Sequence, residues 1–422
     1  MRRARTILAV AVLLAVPAWC GAEDRDELGD PLTIGAAVAY ARRHNAEIRA
    51  AEAKWRAAQA RPAQAGSLPD PMLDLGYHNE GFDRLNLGES DFAWVSVGAS
   101  QELPFPGKLG LKHDIAAREA EQTGAEFHRV ELDVIGRLKA AYAEYAHLDV
   151  QLDILRRNET LLEQIARTAE AKYAVGEGIQ QDVLKAQVER SLLIERETTL
   201  EQRRQSQTAE LNALLNRPAT APLGAAEHPT EGKLTQTLEE LTAAAEAHSP
   251  ELMSAERRVA GSKSAVALAH REYLPDFVLR AQYIHKAELL PEWEVGVGIK
   301  LPLYFATKQR AGVQEAAASL AEARSLHENA DRDVQARVRD LYARAQAAER
   351  LISLYHTTVL PQARLALDSA NTAYQVNKVD FLTLLNAFAV TLEYEMRYHE
   401  ELADFQKAVA QLEAIVGEPL EG

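Results

Sequence analysis

The sequence predicts a mainly α-helical protein with a β portion of membrane-crossing length, built from one unit written twice. Three observations carry that expectation. Gly and Pro are sparse, 22 and 16 of 422 residues, while Ala, Glu, Leu and Arg abound, a composition that favours long helices. A unit of about 200 residues recurs in order. "HNAEIRAAEAKW" (44–55) returns as "HSPELMSAERRV" (248–259), and "SLPD" (67–70) as "YLPD" (273–276). "AKYAVGEGIQQDVLKAQ" (171–187) returns as "TAYQVNKVDFLTLLNAF" (372–388), and "LNALLNRP" (211–218) as "LEAIVGEP" (412–419). Finally, four segments alternate strictly between apolar and polar residues, the period of a strand.

In chain order, residues 1–22 are expected to be a secretory signal peptide. Arg2, Arg3 and Arg5 precede the apolar run 6–16, Pro17 breaks it, and small residues allow cleavage after Ala22. The run is too short to span a bilayer. Cys20 is the only cysteine. Trp19 before it argues against lipid attachment, and its removal would leave no thiol for disulfides or thiolate metal sites.

The first repeat is expected over 23–225 and the second over 226–422. Each opens with a medium helix, about 32–65 and about 237–271. Strands follow at about 71–78 and 92–103, then at about 276–284 and 293–303. Long helices are expected over 107–174 and 179–216, then 307–375 and 380–416. No Pro lies between Pro106 and Pro218, and Leu138, Ala141, Tyr145, Leu148, Leu152, Leu155, Glu159, Leu162, Ala166, Ala169 and Tyr173 step by threes and fours with only Glu159 polar, a coiled-coil seam. About 65 residues of helix extend roughly 100 Å, too long to fold into a compact domain. Gly176 and Asn377 are residue types that end helices in the left-handed conformation, so 174–178 and 375–379 should be hairpin tips. Pro361, inside the second long helix, should kink it.

In the strands, Leu73, Leu75, Tyr77; Val95, Val97; Phe277, Leu279; and Val295, Val297, Ile299 fall on the apolar side. Segments of this length can cross a bilayer when tilted. Two readings stay open. The apolar face meets lipid, in which case four strands are too few to close a barrel and further copies are needed. Alternatively, it belongs to a soluble sheet packed on helices, as in a periplasmic coiled-coil adaptor or structural protein.

A net charge of −15 argues against a nucleic-acid partner. "VGVGIK" (295–300) holds Gly-x-Gly but leads into Leu-Pro-Leu, not a helix start, so it is no dinucleotide fingerprint. No His-Glu-x-x-His or Gly-x-Ser-x-Gly occurs. No enzyme activity, metal site or cofactor is expected. Lys108 and Lys308 recur after the second strand of each unit, as interfacial anchors or as a lumen charge ring. Asp182 opens the helix after the first tip.

The duplicated helix–"LPD"–strand–loop–strand–"LP"–long-helix unit, with "YAVG" (173–176) and the helices "DVLKAQ" and "FLTLLNAF" after the tips, resembles the TolC-like outer membrane efflux family. "SQELPFPGK" (100–108) resembles members paired with heavy-metal resistance-nodulation-division pumps. The resemblance implies a homotrimer in the outer membrane, each chain giving four strands to a twelve-stranded β-barrel above a periplasmic coiled-coil α-barrel. It implies a passive duct exporting cations such as heavy metals, or alternatively drugs and small organic molecules. The tips Gly176, Glu177, Gly178 and Asn377, Lys378, Val379 would contact a periplasmic adaptor of an inner-membrane pump. Asp182, Asp380, Thr383 and Asn386 would line the entrance. Thr383 and Asn386 are neutral where the family is acidic, which weakens an electrostatic gate.

Overall fold

The computed structural model describes residues 28–86, 92–227, 232–286 and 289–420. The expected leader and Cys20 lie outside them. The elements follow in the order α1 (Ile34–His44), α2 (Ala46–Gly66), β1 (Met72–His78), β2 (Trp94–Leu103), α3 (Lys108–Ala174) and α4 (Gln180–Leu214). The second repeat gives α5 (Leu238–His248), α6 (Pro250–Arg271), β3 (Asp276–His285), β4 (Glu292–Lys300), α7 (Lys308–Leu354), a π-turn (Tyr355–Val359), α8 (Leu360–Gln375) and α9 (Phe381–Val416).

The opening helix of each repeat is two helices rather than one. Asn45 breaks the first: its Oδ1 accepts the amides of Glu47 and Ile48 at 2.8 and 3.0 Å, and its Nδ2 donates to the Leu214 carbonyl at 2.7 Å. A buried Asn that caps one helix and satisfies the C-terminal end of another favours a break over a continuous helix. In the second repeat Pro250 starts α6, the position where a missing N–H does no harm.

α3 is one helix of 67 residues, about 100 Å long. Its seam residues Leu148, Leu155 and Leu162 are buried with Leu193 of α4 and Phe381, Leu384 and Phe388 of α9, while Leu138 and Tyr145 are buried in a second cluster with Tyr40 and Ala41 of α1 and Leu211 of α4. Each such buried Leu or Phe contributes about 1.5–3 kcal/mol. The second long helix does not break at Pro361. Instead Tyr355–Val359 widens into a π-turn just before it and the helix continues. The wider turn accommodates the ring and the missing amide of Pro361.

The four strands form one antiparallel sheet in the order β1-β2-β3-β4. β2 and β3 join the two repeats, pairing Val97 with Tyr283, Ala99 with Ala281 and Leu103 with Phe277. β1 and β4 are therefore the free edges. The strands pack on one another and not under helices, so the chain does not form the soluble sheet covered by its own helices.

Candidate functional site

Three regions of the structure bear on function: the sheet, the collar where sheet meets helices, and the hairpin tips at the far end of the coil. On the sheet, alternation fixes two faces. Leu73, Leu75, Tyr77, Val95, Val97, Leu279, Val295, Val297 and Ile299 are exposed, and Phe277 is half-buried near the collar. The other face carries Ser96, Gly98, Glu102, Arg280, Gln282, Glu294 and Lys300, with Lys300 donating to Glu102 at 2.7 Å. On this face Ser96 is buried and pairs with Gly76, where a Cβ would lie 2.6 Å from Ser96 Oγ. Trp94 falls on this polar face, stacked on His78 with 4.0 Å between ring centroids. Trp293 falls on the apolar face and is exposed.

At the collar, Lys108 is neither a snorkelling anchor nor a lumen charge. Its side chain is 2 % exposed. The ammonium donates to Asp276 Oδ1 at 2.9 Å, the Leu274 carbonyl at 3.0 Å and Glu272 at 3.4 Å. Asp276 also accepts the Phe105 amide at 2.8 Å. The second Leu-Pro-Asp thus serves as the receptor for the first residue of α3. A buried ammonium requires such paired, fully bonded surroundings. Lys308 is exposed.

At the tips, Gly176 adopts φ +79° and Asn377 φ +58°, left-handed geometry suited to these residue types. The Glu177 and Gly178 amides return to the Lys172 carbonyl at 2.9 and 3.0 Å. A Cβ on Gly178 would sit 3.0 Å from the Tyr173 amide nitrogen. Lys172 ties the two hairpins together. Its ammonium donates to the Tyr374 carbonyl at 2.5 Å and to Asn377 Oδ1, and lies 4.6 Å from the Tyr374 ring centroid. Asn377 Nδ2 reaches Glu177 at 3.4 Å. Sequence reasoning missed Lys172 because the second repeat has Ala373 in its place and repetition gives no signal.

The entrance candidates lie at the start of α4 and in the N-cap and first two turns of α9. Asp380 caps α9, accepting the Thr383 amide at 2.9 Å and the Thr383 hydroxyl. Those hydrogen bonds hold its carboxyl below the usual range. Burial pushes the Asp182 carboxyl up, and the negative charge of Asp380 adds to the rise while Lys185 opposes it. Thr383 and Asn386 are exposed on α9. Glu177, Lys378 and the apolar Val175, Ile179 and Val376 are exposed around the tips.

Among the described residues no helix is long and apolar enough to cross a membrane, and no cluster of three or more His, Cys, Asp or Glu could hold a metal ion. The chain matches the family described as "Outer membrane efflux protein" over residues 38–217 and 241–418. It is 24% identical over 410 residues to the pyoverdine export outer membrane protein OpmQ of Pseudomonas putida, covering 90% of this chain and 85% of that one. Among solved structures it is similar to the outer membrane protein VceC of Vibrio cholerae, with a TM-score of 0.78, 18% identity, and 92% and 97% of the two chains covered. It is also similar to CusC, whose structures concern transmembrane channel formation, with a TM-score of 0.79, 15% identity, and 95% and 96% covered.

Proposed function

Because this chain belongs to the outer membrane efflux protein family, we propose a cargo, an assembly and an entrance for a protein that is an outer membrane channel reaching into the periplasm, and not an enzyme. Such channels serve tripartite efflux pumps. Three copies close the sheet into a twelve-stranded barrel, because four strands cannot enclose a lumen. The apolar face of Leu73, Leu75, Tyr77, Val95, Val97, Phe277, Leu279, Val295, Val297 and Ile299 meets outer membrane lipid. The single observation that supports this is the exposure of that face together with the free edges β1 and β4. Unsatisfied strand edges are not tolerated in a bilayer.

The tips Gly176, Glu177, Gly178, Asn377, Lys378 and Val379 dock a periplasmic adaptor, which couples the channel to an inner-membrane resistance-nodulation-division pump. Exposed apolar residues beside them, such as Val175 and Val376, suit such a contact. The entrance lies at Asp182, Asp380, Thr383 and Asn386, and opens when the hairpins separate. Lys172 opposes that separation, and the exposed carboxylate of Asp380 presents a weak attraction to cations.

The cargo is a cation, heavy metals first. A passive duct has no energy source of its own, so selectivity must come from its field. An excess of 62 acidic over 47 basic residues lowers the barrier for cations and raises it for anions. Export of a small organic molecule is the second reading, favoured by the match to the pyoverdine exporter. A deletion strain challenged with a panel of metals and organic compounds separates the two. Metal sensitivity restored by the gene on a plasmid supports the cation reading. Unchanged metal tolerance with retention of an organic compound supports the second.

A further inference from the structure

We propose that Lys308 of one copy locks onto Asp70 and the Leu68 carbonyl of the next, so that each junction between copies repeats the buried Lys108–Asp276 contact inside the chain. The proposal rests on the trimeric reading above and names the contact that would close it.

The argument starts from the duplication. Lys108 and Lys308 are each the first residue of a long helix, α3 and α7. "SLPD" (67–70) and "YLPD" (273–276) are the same motif, so Asp70 corresponds to Asp276 and Leu68 to Leu274. Within the chain, repeat one supplies the lysine and repeat two the receptor. The reverse pair cannot meet in this way inside one chain, because β4 and β1 are at opposite edges of the sheet. A ring made of alternating repeats satisfies both. Each unit then contacts the following one by the same rotation, which is how a head-to-tail interface closes.

Burial differs in the way this requires. Leu103 and Phe105 are half-buried and Lys108 is buried where repeat two covers them. Their counterparts Leu301, Leu303 and Lys308 are all exposed, as are Leu68 and Asp70 at the other edge. Neither Lys308 nor Asp70 has a side-chain hydrogen bond or ion pair among the described residues. The missing cover is therefore a copy of repeat one.

The same correspondence sets the strand register. Leu103 pairs with Phe277 in β2–β3, so Leu301 should pair with Pro71 of the neighbouring copy. Ile299 then meets Leu73, Val297 meets Leu75, and Val295 meets Tyr77, apolar against apolar throughout. A one-residue slip would turn one strand's apolar set to the other face.

The junction between copies is leaner than the internal one. Glu272, the second carboxylate on Lys108, corresponds to Gly66, and Arg271, which donates to the Pro106 carbonyl at 2.9 Å, corresponds to Ala65. The Leu303 amide already donates to the Leu301 carbonyl at 3.0 Å, so the Phe105–Asp276 bond has no counterpart there. Lys308 with Asp70 is thus the principal charged contact the collar offers between copies.

The test compares wild type, Lys308→Glu, Asp70→Lys and the double swap, purified in detergent, by the rate at which heat dissociates the trimer on a denaturing gel. Each single swap should speed dissociation by about tenfold, and the double swap should recover most of that loss, since it restores an opposite-charge pair at every junction. Single swaps that match wild type, or a double swap as weak as the combined singles, would overturn the latch and leave the trimer standing. A wild type that is not trimeric would overturn the trimeric reading itself. Should the variants fail to reach the membrane, zero-length carbodiimide coupling of wild type decides. A peptide joining 308 to 70 between chains supports the latch, and a trimer without that peptide overturns it.

Discussion

Replacing Lys172 by Met should uncouple the two hairpin ends and raise the open fraction of the channel. The side chain is 8 % exposed, so solvent screens its contacts little. It donates to the Tyr374 carbonyl and to Asn377, and sits over the Tyr374 ring. A hydrogen bond from a charged donor contributes about 1.5–3 kcal/mol, and a partly desolvated cation–π contact about 1–2 kcal/mol. Desolvating the ammonium offsets several kcal/mol of that sum, so the net loss should be about 2 kcal/mol. Met keeps the stem that packs against the ring. The Tyr374 carbonyl still accepts the Asn377 amide at 3.2 Å, so no buried acceptor is orphaned. A loss of about 2 kcal/mol changes the ratio of joined to separated ends by about 30-fold. Single-channel recording in planar bilayers at fixed voltage reads that ratio as open time. Lys172→Arg keeps the charge and should stay near wild type. An open fraction for Lys172→Met equal to wild type, with the trimer intact, would refute the reasoning.

Val297→Arg should lower insertion into lipid vesicles by about 2–4 kcal/mol if the residue sits at mid-membrane, whereas Gly296→Ser on the other face should insert normally. Both are read by urea titration of the inserted fraction. Gly178→Val should disturb the first tip, since its Cβ would press on the Tyr173 amide at 3.0 Å and on Lys172 Cβ at 3.1 Å; weaker capture by the adaptor in a pull-down checks it. Asp380→Ala removes the cap on α9 and should loosen its first turn, seen as faster amide exchange over 381–384. Burial holds the His147 imidazole below its usual range, with Glu144, Asp404 and the His399 backbone favouring the charged form and Lys407 opposing it. The unfolded chain then takes its proton first. Stability from this group is intact above about pH 6.5 and falls as pH drops through the folded value, by up to about 1.4 kcal/mol per pH unit. His147→Gln should flatten that part of the pH profile in thermal denaturation.

The architecture was legible where it rests on local periodicity. Val295, Val297 and Ile299 announce a strand face because period two needs only neighbours. Leu148, Leu155 and Leu162 announce a coil seam for the same reason. The duplication added what one copy could not, because matched Leu-Pro-Asp segments mark matched junctions. Contacts between the repeats were not legible. The partners of Lys108 lie 164 to 168 residues away, and nothing near it distinguishes a buried ammonium from an exposed one. Lys172 is hidden for the same reason, with its acceptors 202 and 205 residues away. At Pro361 the residue was plain but the widened turn at Tyr355–Val359 before it was not, since a helix that loses one amide can adjust its hydrogen bonding in more than one way.

The apolar face of the sheet is the point at which the account stands or falls, and a quenching scan along β4 addresses it directly. Single cysteines at 293 to 299, labelled with a fluorophore and reconstituted with lipids carrying a quencher on their chains, should alternate. Positions 293, 295, 297 and 299 should be strongly quenched, and 294, 296 and 298 weakly. Uniformly weak quenching, with the protein remaining in solution without detergent, would contradict it.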